Sequence, residues 1–290
     1  MKFSLNMKTS PILIKSPPTN ATPLDHRSRM LRVKMIRMLE AAKRGHIASA
    51  FSLVEILRAL YDHVLRYDPK DPRWPQRDRC ILSKGHGALA LYVLLADKGF
   101  FPESELWQYC KHNGILGGHP EYGKVPGVEA STGSLGHGLS IGIGFALNAC
   151  LTNADYRTFV IVGDGECNEG SIWEAALCAC KHQLSNLVVI VDYNKQQSYS
   201  TTYEVLDLEP FTSKWQSFGF SVSQVDGHNL DEICSTLNRI PFDATKPNVV
   251  ICHTIKGKGV TFMENNLQWH HKNYPTAAEI QALLAELEID

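Results

Sequence analysis

The run Gly163-Asp164-Gly165-Glu166-Cys167-Asn168-Glu169-Gly170 begins where an apolar stretch, Thr158 to Val162, ends, and Tyr193-Asn194-Lys195 follows a second stretch, Leu187 to Asp192. Unalternating Val and Ile suit strands covered on both faces of a parallel sheet. Asp164 and Asn194 are 30 residues apart, about the length of one strand-helix-strand unit. Neighbouring parallel strands lie ~4.8 Å apart, so an acid and an amide at adjacent tips meet at the carboxyl edge of the sheet, where open α/β folds bind ligands. Two hard oxygen donors there suit Mg²⁺, whose octahedral shell is usually completed by phosphates. Glycines 163, 165 and 170 let backbone approach a diphosphate closely, and the helix expected from near Ser171 adds a favourable dipole. A metal-bridged diphosphate fits this constellation.

Asp-Gly after a strand is by itself an ordinary turn, and Asn194 by itself could cap a helix. Their pairing at the spacing of one βαβ unit carries the binding reading. A dinucleotide fingerprint fits poorly, because Asn168 stands where the sixth position requires glycine. A haloacid-type phosphotransfer site would need a second Asp two residues on, where Glu166 stands.

These residues must be held by ordered elements. Apolar residues recur at helical spacing from Leu24 to Tyr67, in two helices meeting at Gly45-His46. Cys80 to Ser83 reads as a buried strand leading into Gly85-His86-Gly87 and a helix, Ser171 to His182 as a helix, and Asn248 to His253 as a further strand. This β-α-β order predicts an α/β fold, a mostly parallel sheet with helices on both faces. Residues 1–24, rich in Ser, Pro and Thr, read as a flexible arm, and 25–290 as one diphosphate-binding domain.

At 290 residues the chain can bury a sound core without covalent staples. Lys and Arg number 29 against 30 Asp and Glu, a formal charge of −1, which gives no electrostatic reason to expect nucleic acid. No apolar stretch reaches the roughly 18 residues that would suggest a membrane span, and Pro11 to Ile14 is too short for a signal-peptide core. Eight scattered cysteines without zinc spacing read as reduced thiols of a cytoplasmic protein.

The GDG motif followed about thirty residues later by Asn looks like the thiamine-diphosphate motif, and the wider pattern resembles the transketolase family. The segments carrying the narrower match are GHIASAFS (45–52), SKGHGAL (83–89), GGHPE (117–121), TGSLGHGLSIGIGFAL (132–147), DGHNLDEI (226–233) and TIKGKGVTFMENNLQWHH (254–271). The resemblance spans nearly everything after the arm and implies the cofactor-diphosphate domain alone. That corresponds to the N-terminal subunit of a split transketolase, active only with a C-terminal pyrimidine-binding subunit. It implies a homodimeric core in an α₂β₂ heterotetramer and transfer of a two-carbon ketol unit from a ketose or its phosphate to an aldose or its phosphate. The implied cofactors are thiamine diphosphate and Mg²⁺, with Ca²⁺ or Mn²⁺ as substitutes, and the groups gripping the sugar phosphate would lie largely on the partner.

Position by position, the resemblance implies Mg²⁺ binding by the side chains of Asp164 and Asn194 and the backbone carbonyl of Gln196. Gly163 and Gly165 would approach the diphosphate, and Ser134-Leu135-Gly136 would run beside the cofactor ring. Glu169 and Glu174 match acids that link paired cofactor sites. His46, His86, His119 and His270 match histidines of the substrate channel, with the doublet His270-His271 leaving the last register open. Imidazoles suit a reaction that moves a proton in each half, because either protonation state is accessible near neutral pH.

Two backbone-shaping positions depart from the family pattern: Ser134 and Ile47 stand where proline is common. Lys256 and Lys258 in the KGKG loop read either as phosphate-attracting groups or as a solvated mobile loop. His253 reads as a satisfied core residue, His228 as a turn stabiliser, and the small-residue run Gly136 to Ala146 as a helix buried at a subunit interface. The rival readings are the α subunit of a thiamine-dependent 2-oxo-acid dehydrogenase, a 1-deoxyxylulose-phosphate-synthase-like carboligase, and a non-catalytic cofactor-binding scaffold. The three early histidine motifs count against the first.

Overall fold

The computed structural model describes residues 22–270, 272 and 274–287. Most of the expected arm and His271 therefore lie outside the described residues. The arm's last residues rest on the body: Thr22 Oγ1 donates to Asp226 at 2.8 Å, and Leu24 packs against the core.

Five strands, β1 (Arg79–Leu82), β2 (Thr158–Gly163), β3 (Leu187–Tyr193), β4 (Ser221–Asp226) and β5 (Asn248–His253), form one sheet in the order β1-β2-β3-β5-β4. Every pairing is parallel. The helices are α1 (His26–Ala42), α2 (Ile47–Phe51), α3 (Val54–Arg58), α4 (Ala88–Asp97), α5 (Gly138–Thr152), α6 (Gly170–Lys181), α7 (Thr202–Leu206), α8 (Phe211–Ser217), α9 (Leu230–Leu237) and α10 (Ala277–Leu287).

Successive strand residues face opposite sides, and the two cores follow from that. Phe159, Ile161, Val188, Ile190 and Val250 join α1 to α4, α9 and α10 on one face. Val160, Val162, Val189, Val191 and Ile251 join α5, α6 and α8 on the other. The central strands are thus apolar on both sides, as their composition requires. The expected layering is present, and the helix expected from Ser171 to His182 runs from Gly170 to Lys181. Strand β4 escapes a search for apolar runs: it is the edge strand, paired only with β5, and its sequence SVSQVD is mostly half-buried and polar.

The face opposite α5 and α6 contains a buried ionic network. Arg32 on α1 donates to both oxygens of Glu55 on α3, at 2.7 and 2.9 Å. Its Nε donates to the Lys258 carbonyl at 2.9 Å. His228 donates through Nδ1 to Glu55 at 2.8 Å and accepts the Ile255 N–H through Nε2 at 2.8 Å, which fixes its tautomer. Burial alone would raise the Glu55 carboxyl, but the Arg32 charge and the Arg32 and His228 hydrogen bonds hold it well below the usual carboxylate range. His228 therefore does more than stabilise a turn: with Arg32 it pins the segment 255–258. The Gly257 N–H donating to the Ala48 carbonyl at 3.1 Å is a third anchor.

Two further expectations change. Lys256 and Lys258 are only 2% and 7% exposed, so their loop is packed rather than solvated, as its three anchors demand. His253 is half-buried, because it lies at the last position of β5; its Nε2 meets Gln224 at 2.8 Å. Helix α5 turns Leu139, Ile143 and Ala146 to the core and leaves Ile141 and Leu151 exposed on the other side.

Candidate functional site

The register pairs Gly163 of β2 with Asp192 of β3, so the residues that follow, Asp164 and Asn194, leave the sheet side by side at its carboxyl edge. Asp164 is buried. One of its oxygens accepts the Gly165 N–H at 2.7 Å and the other accepts the Lys195 N–H. Asn194, also buried, turns its Oδ1 to the Gln196 N–H at 3.1 Å. The two side chains singled out from sequence spacing thus meet through the short loop after β3.

Around them opens a cleft of about 270 Å³ lined by His46, His86, Leu135, Gly163, Gly165, Gln196, Lys256 and His270, among others. His46 sits at the start of α2 and His86 in the tight turn Gly85–Gly87 between β1 and α4. Their rings meet edge to face with centroids 5.9 Å apart. His270, 9% exposed, accepts from Lys256 Nζ through Nδ1 at 2.8 Å. Burial, and the nearby Lys84, Lys256, His46 and His270, push His86 well below the ordinary imidazole value.

Not every expected residue lines this cleft. His119 is exposed and lines an adjoining cavity that shares His46 with the cleft. Ser134 is exposed and bonds to His137 at 3.4 Å. Glu169 and Glu174, near the start of α6, are exposed and are not among the residues lining the cleft.

Three side chains that the motifs did not single out organise the site. Lys84, 2% exposed, pairs with Asp192 at 2.5 Å. Asp192 also accepts from Ser52 at 2.7 Å and from Thr254. Burial opposes its ionisation, but Lys84 and these hydroxyls hold its carboxyl low. Glu166 accepts from Ser83 Oγ at 2.5 Å, Gly136 N–H at 2.8 Å and Gly163 N–H at 3.0 Å, joining the ends of β1 and β2 to the loop 134–136. A Cβ at Gly136, whose φ is +83°, would lie 2.4 Å from Ser171 Oγ, so this approach requires glycine. A charged residue directly after a strand and before Gly-His-Gly was the available signal for Lys84.

The electrostatics of the cleft are uncompensated in two places. Burial and repulsion from Asp192 raise the Asp164 carboxyl to about 6, and the Gln196 Oε1 beside it is buried with no hydrogen-bond partner. Opposite, burial and repulsion from Lys84 lower the Lys256 amine to about 7, despite Asp164 and Asp192. A cation near Asp164 and an anion near Lys256 would relieve both. A divalent ion bridging to a diphosphate fits this donor set, and a Cβ on Gly165 would meet Gln197 Cβ at 2.7 Å, so glycine is needed where the backbone edges the cleft.

Residues 25–290 match the family described as transketolase, thiamine diphosphate binding domain. The chain is 41% identical over 264 residues to an apulose-4-phosphate transketolase subunit of Phocaeicola vulgatus, covering 91% of this chain and 93% of that protein. It is 39% identical over 265 residues to the 6-deoxy-6-sulfo-D-fructose transketolase subunit SqwG of Clostridium sp., covering 91% and 96%. Among solved structures it is similar to transketolase from Leishmania mexicana, with a TM-score of 0.84 and 26% identity; the alignment covers 92% of this chain and 42% of that one.

Proposed function

The chain belongs to the transketolase family through its thiamine-diphosphate-binding domain, and from that premise we propose that it is the N-terminal subunit of a split transketolase. The enzyme transfers a two-carbon ketol unit from a ketose or ketose phosphate to an aldose or aldose phosphate. Relatives named as transketolase subunits and matching this chain over nearly their whole length support a separate C-terminal partner carrying the pyrimidine-binding domain. An α₂β₂ heterotetramer built on a homodimeric core follows the same reading, with Glu169 and Glu174 at the contact between copies. Among the described residues no helix is long and apolar enough to cross a membrane, and all eight cysteines are unpaired, which suits the cytoplasm.

The observation that carries the proposal is the convergence of Asp164, Asn194 and Gln196 with His46, His86, His270 and Lys256 on one cleft. Asp164 and Asn194 by side chain, and Gln196 by its backbone carbonyl, hold Mg²⁺, for which Ca²⁺ or Mn²⁺ can stand in at an all-oxygen site. Lys256 neutralises diphosphate charge, while Gly163 and Gly165 let backbone approach it. Thiamine diphosphate, when bound, supplies the carbon nucleophile and the electron sink.

The protein's own contribution is proton traffic and order. His86, held neutral by burial and surrounding cations, accepts a proton from a substrate hydroxyl, and His46, in edge contact with it, shares that exchange. His270, fixed by Lys256, and His119, in the adjoining cavity, bond to hydroxyls along the sugar. Positioned groups of this kind supply roughly 10²- to 10⁴-fold. Glu166 keeps Leu135 and Gly136 against the cleft wall.

The test is reconstitution. The purified chain alone should show negligible ketol transfer, and adding the C-terminal subunit should restore it in a manner dependent on thiamine diphosphate and Mg²⁺. Full activity of the lone chain, or 2-oxo-acid oxidation by the pair, would overturn the proposal.

A further inference from the structure

A cavity of about 490 Å³ adjoins the cleft and shares His46 with it; its lining includes Arg44, Lys111, His119 and Lys124. One carboxylate stands at its wall, that of Glu121 beside Gly117. Lys124 is partly engaged, with Nζ 3.6 Å from Glu121. The side chains of Arg44 and Lys111 form no ion pair among the described residues, and both residues are exposed.

The backbone beneath these two cations is fixed on both sides. Lys43 takes a left-handed conformation and donates to the Leu39 carbonyl at 2.8 Å, and Gly45, at φ +148°, is wedged between Leu39 and Leu89. Arg44 therefore projects from an anchored turn. Lys111 sits in a loop closed by Cys110 N–H to the Leu116 carbonyl at 2.8 Å and Gly114 N–H to the Lys111 carbonyl at 3.1 Å. The ring of His119 lies against Gly133, which lines the cleft itself, so cleft and cavity adjoin at both His46 and His119.

We propose that this cavity receives the anionic end of the sugar substrate, a phosphate or a sulfonate, and that Arg44 and Lys111 of this chain grip it. The proposal rests on the ketol-transfer function above: with the reacting carbons beside His46 and His86, the sugar extends past His119 and ends between the two cations. An unpaired guanidinium on an anchored turn can bind such a group with two parallel hydrogen bonds. Anion recognition is then shared between the subunits, where the family resemblance places it largely on the partner.

The experiment uses the reconstituted pair with D-ribose 5-phosphate and D-ribose as acceptors, comparing wild type with the double variant Arg44→Gln/Lys111→Gln. Loss of two charge-assisted contacts should raise KM for the phosphorylated acceptor on the order of tenfold or more with kcat unchanged, while kinetics on D-ribose stay the same. Arg44→Lys should retain part of the affinity. An equal change on both sugars, or no change on either, would overturn the proposal.

A second measurement is independent of turnover. The chain saturated with thiamine diphosphate and Mg²⁺ is titrated with inorganic phosphate while the His119 imidazole signals are followed by NMR. A saturable shift in wild type that is lost in the double variant supports the site; no saturable shift, or one the variant keeps, overturns it. If the wild-type pair lacked ketol transfer, the functional proposal would fail on that result, and this titration would still decide the anion site.

Discussion

Asp164, at the tip of β2, accepts the backbone N–H of Lys195, just beyond β3, while Asn194 between them is turned to the Gln196 N–H. One carboxylate thus performs two tasks: it folds the loop after β3 and faces a cleft where its own charge is poorly compensated. An amide in its place would keep an oxygen acceptor for one of the Gly165 and Lys195 N–H groups, turn its NH₂ toward the other, and lose the charge.

Asp164→Asn should therefore keep the fold and lose the metal-dependent grip on the cofactor. Titration calorimetry with thiamine diphosphate and Mg²⁺ should give affinity at least about a hundredfold weaker, with a smaller loss of thermal stability in the ligand-free protein than Asp164→Ala causes. Asp164→Ala should lose both affinity and loop order. Wild-type affinity in either variant would remove Asp164 from the metal site.

Lys256 predicts a proton linkage. In the ligand-free protein its amine is lowered to about 7 by burial and by Lys84, against the pull of Asp164 and Asp192. At pH 8 it is mostly neutral, and a diphosphate beside it raises its affinity for protons. Binding at pH 8 should thus take up a proton, approaching one per site, and affinity should weaken as pH rises further. Asp164, raised only to about 6, is ionised with or without ligand at that pH and does not confuse the count. Calorimetry in HEPES and in Tris measures the uptake from the difference in observed heat. Lys256→Arg, charged throughout, should bind without uptake; uptake surviving in that variant would assign the proton to another group.

The sequence made the ends of the two central strands readable because a fully buried parallel strand leaves an unbroken apolar run, and Asp164 and Asn194 follow such runs directly. The partners that hold them were less readable. Asp192 looks like the polar end of a strand, yet it is fully buried and neutralised by Lys84 from β1's end, a pairing across 108 positions that no local pattern encodes. The KGKG segment has the composition of a mobile loop, but Arg32, His228 and Ala48 anchor it from three distant places. Edge strand β4 brings only Val222 to one core and Val225 to the other, so its apolar pattern is too sparse to mark it.

The Glu55 network makes stability acid-sensitive in a defined way. Glu55 is held below its unfolded value of 4.5 despite burial, through Arg32 and His228. Its contribution is therefore fully present above about pH 4.5 and is lost as pH falls from there toward the folded value. Glu55→Gln leaves Arg32 buried without a counter-charge and should cost roughly 3–5 kcal/mol at pH 7. In urea denaturation that gap from wild type should narrow between pH 4.5 and pH 3; a constant gap would show that Glu55 does not titrate with folding. Because the same network anchors Ile255 and Lys258, the variant should also bind cofactor more weakly.

Glu166 closes the cofactor wall from inside. It accepts from Ser83 Oγ, Gly136 N–H and Gly163 N–H, and burial, only partly offset by these three donors and Lys84, raises its carboxyl above the ordinary range. Glu166→Ala would strand three buried donors, each costing about 1–3 kcal/mol if water cannot reach it. Glu166→Gln keeps one acceptor oxygen but turns an NH₂ group toward at least one of those donors, so it should fall between wild type and Ala. The functional consequence follows from geometry: this carboxylate ties Gly136 to Gly163 and Ser83 at the strand tips, so freeing it should loosen the wall that Leu135 presents to the cleft. Hydrogen exchange should speed up at Gly136 and Gly163 in the Ala variant, and cofactor affinity should drop in the same order, Ala below Gln below wild type. Unchanged exchange at Gly136 would mean that packing against Ser171 and Glu169, rather than Glu166, sets the loop.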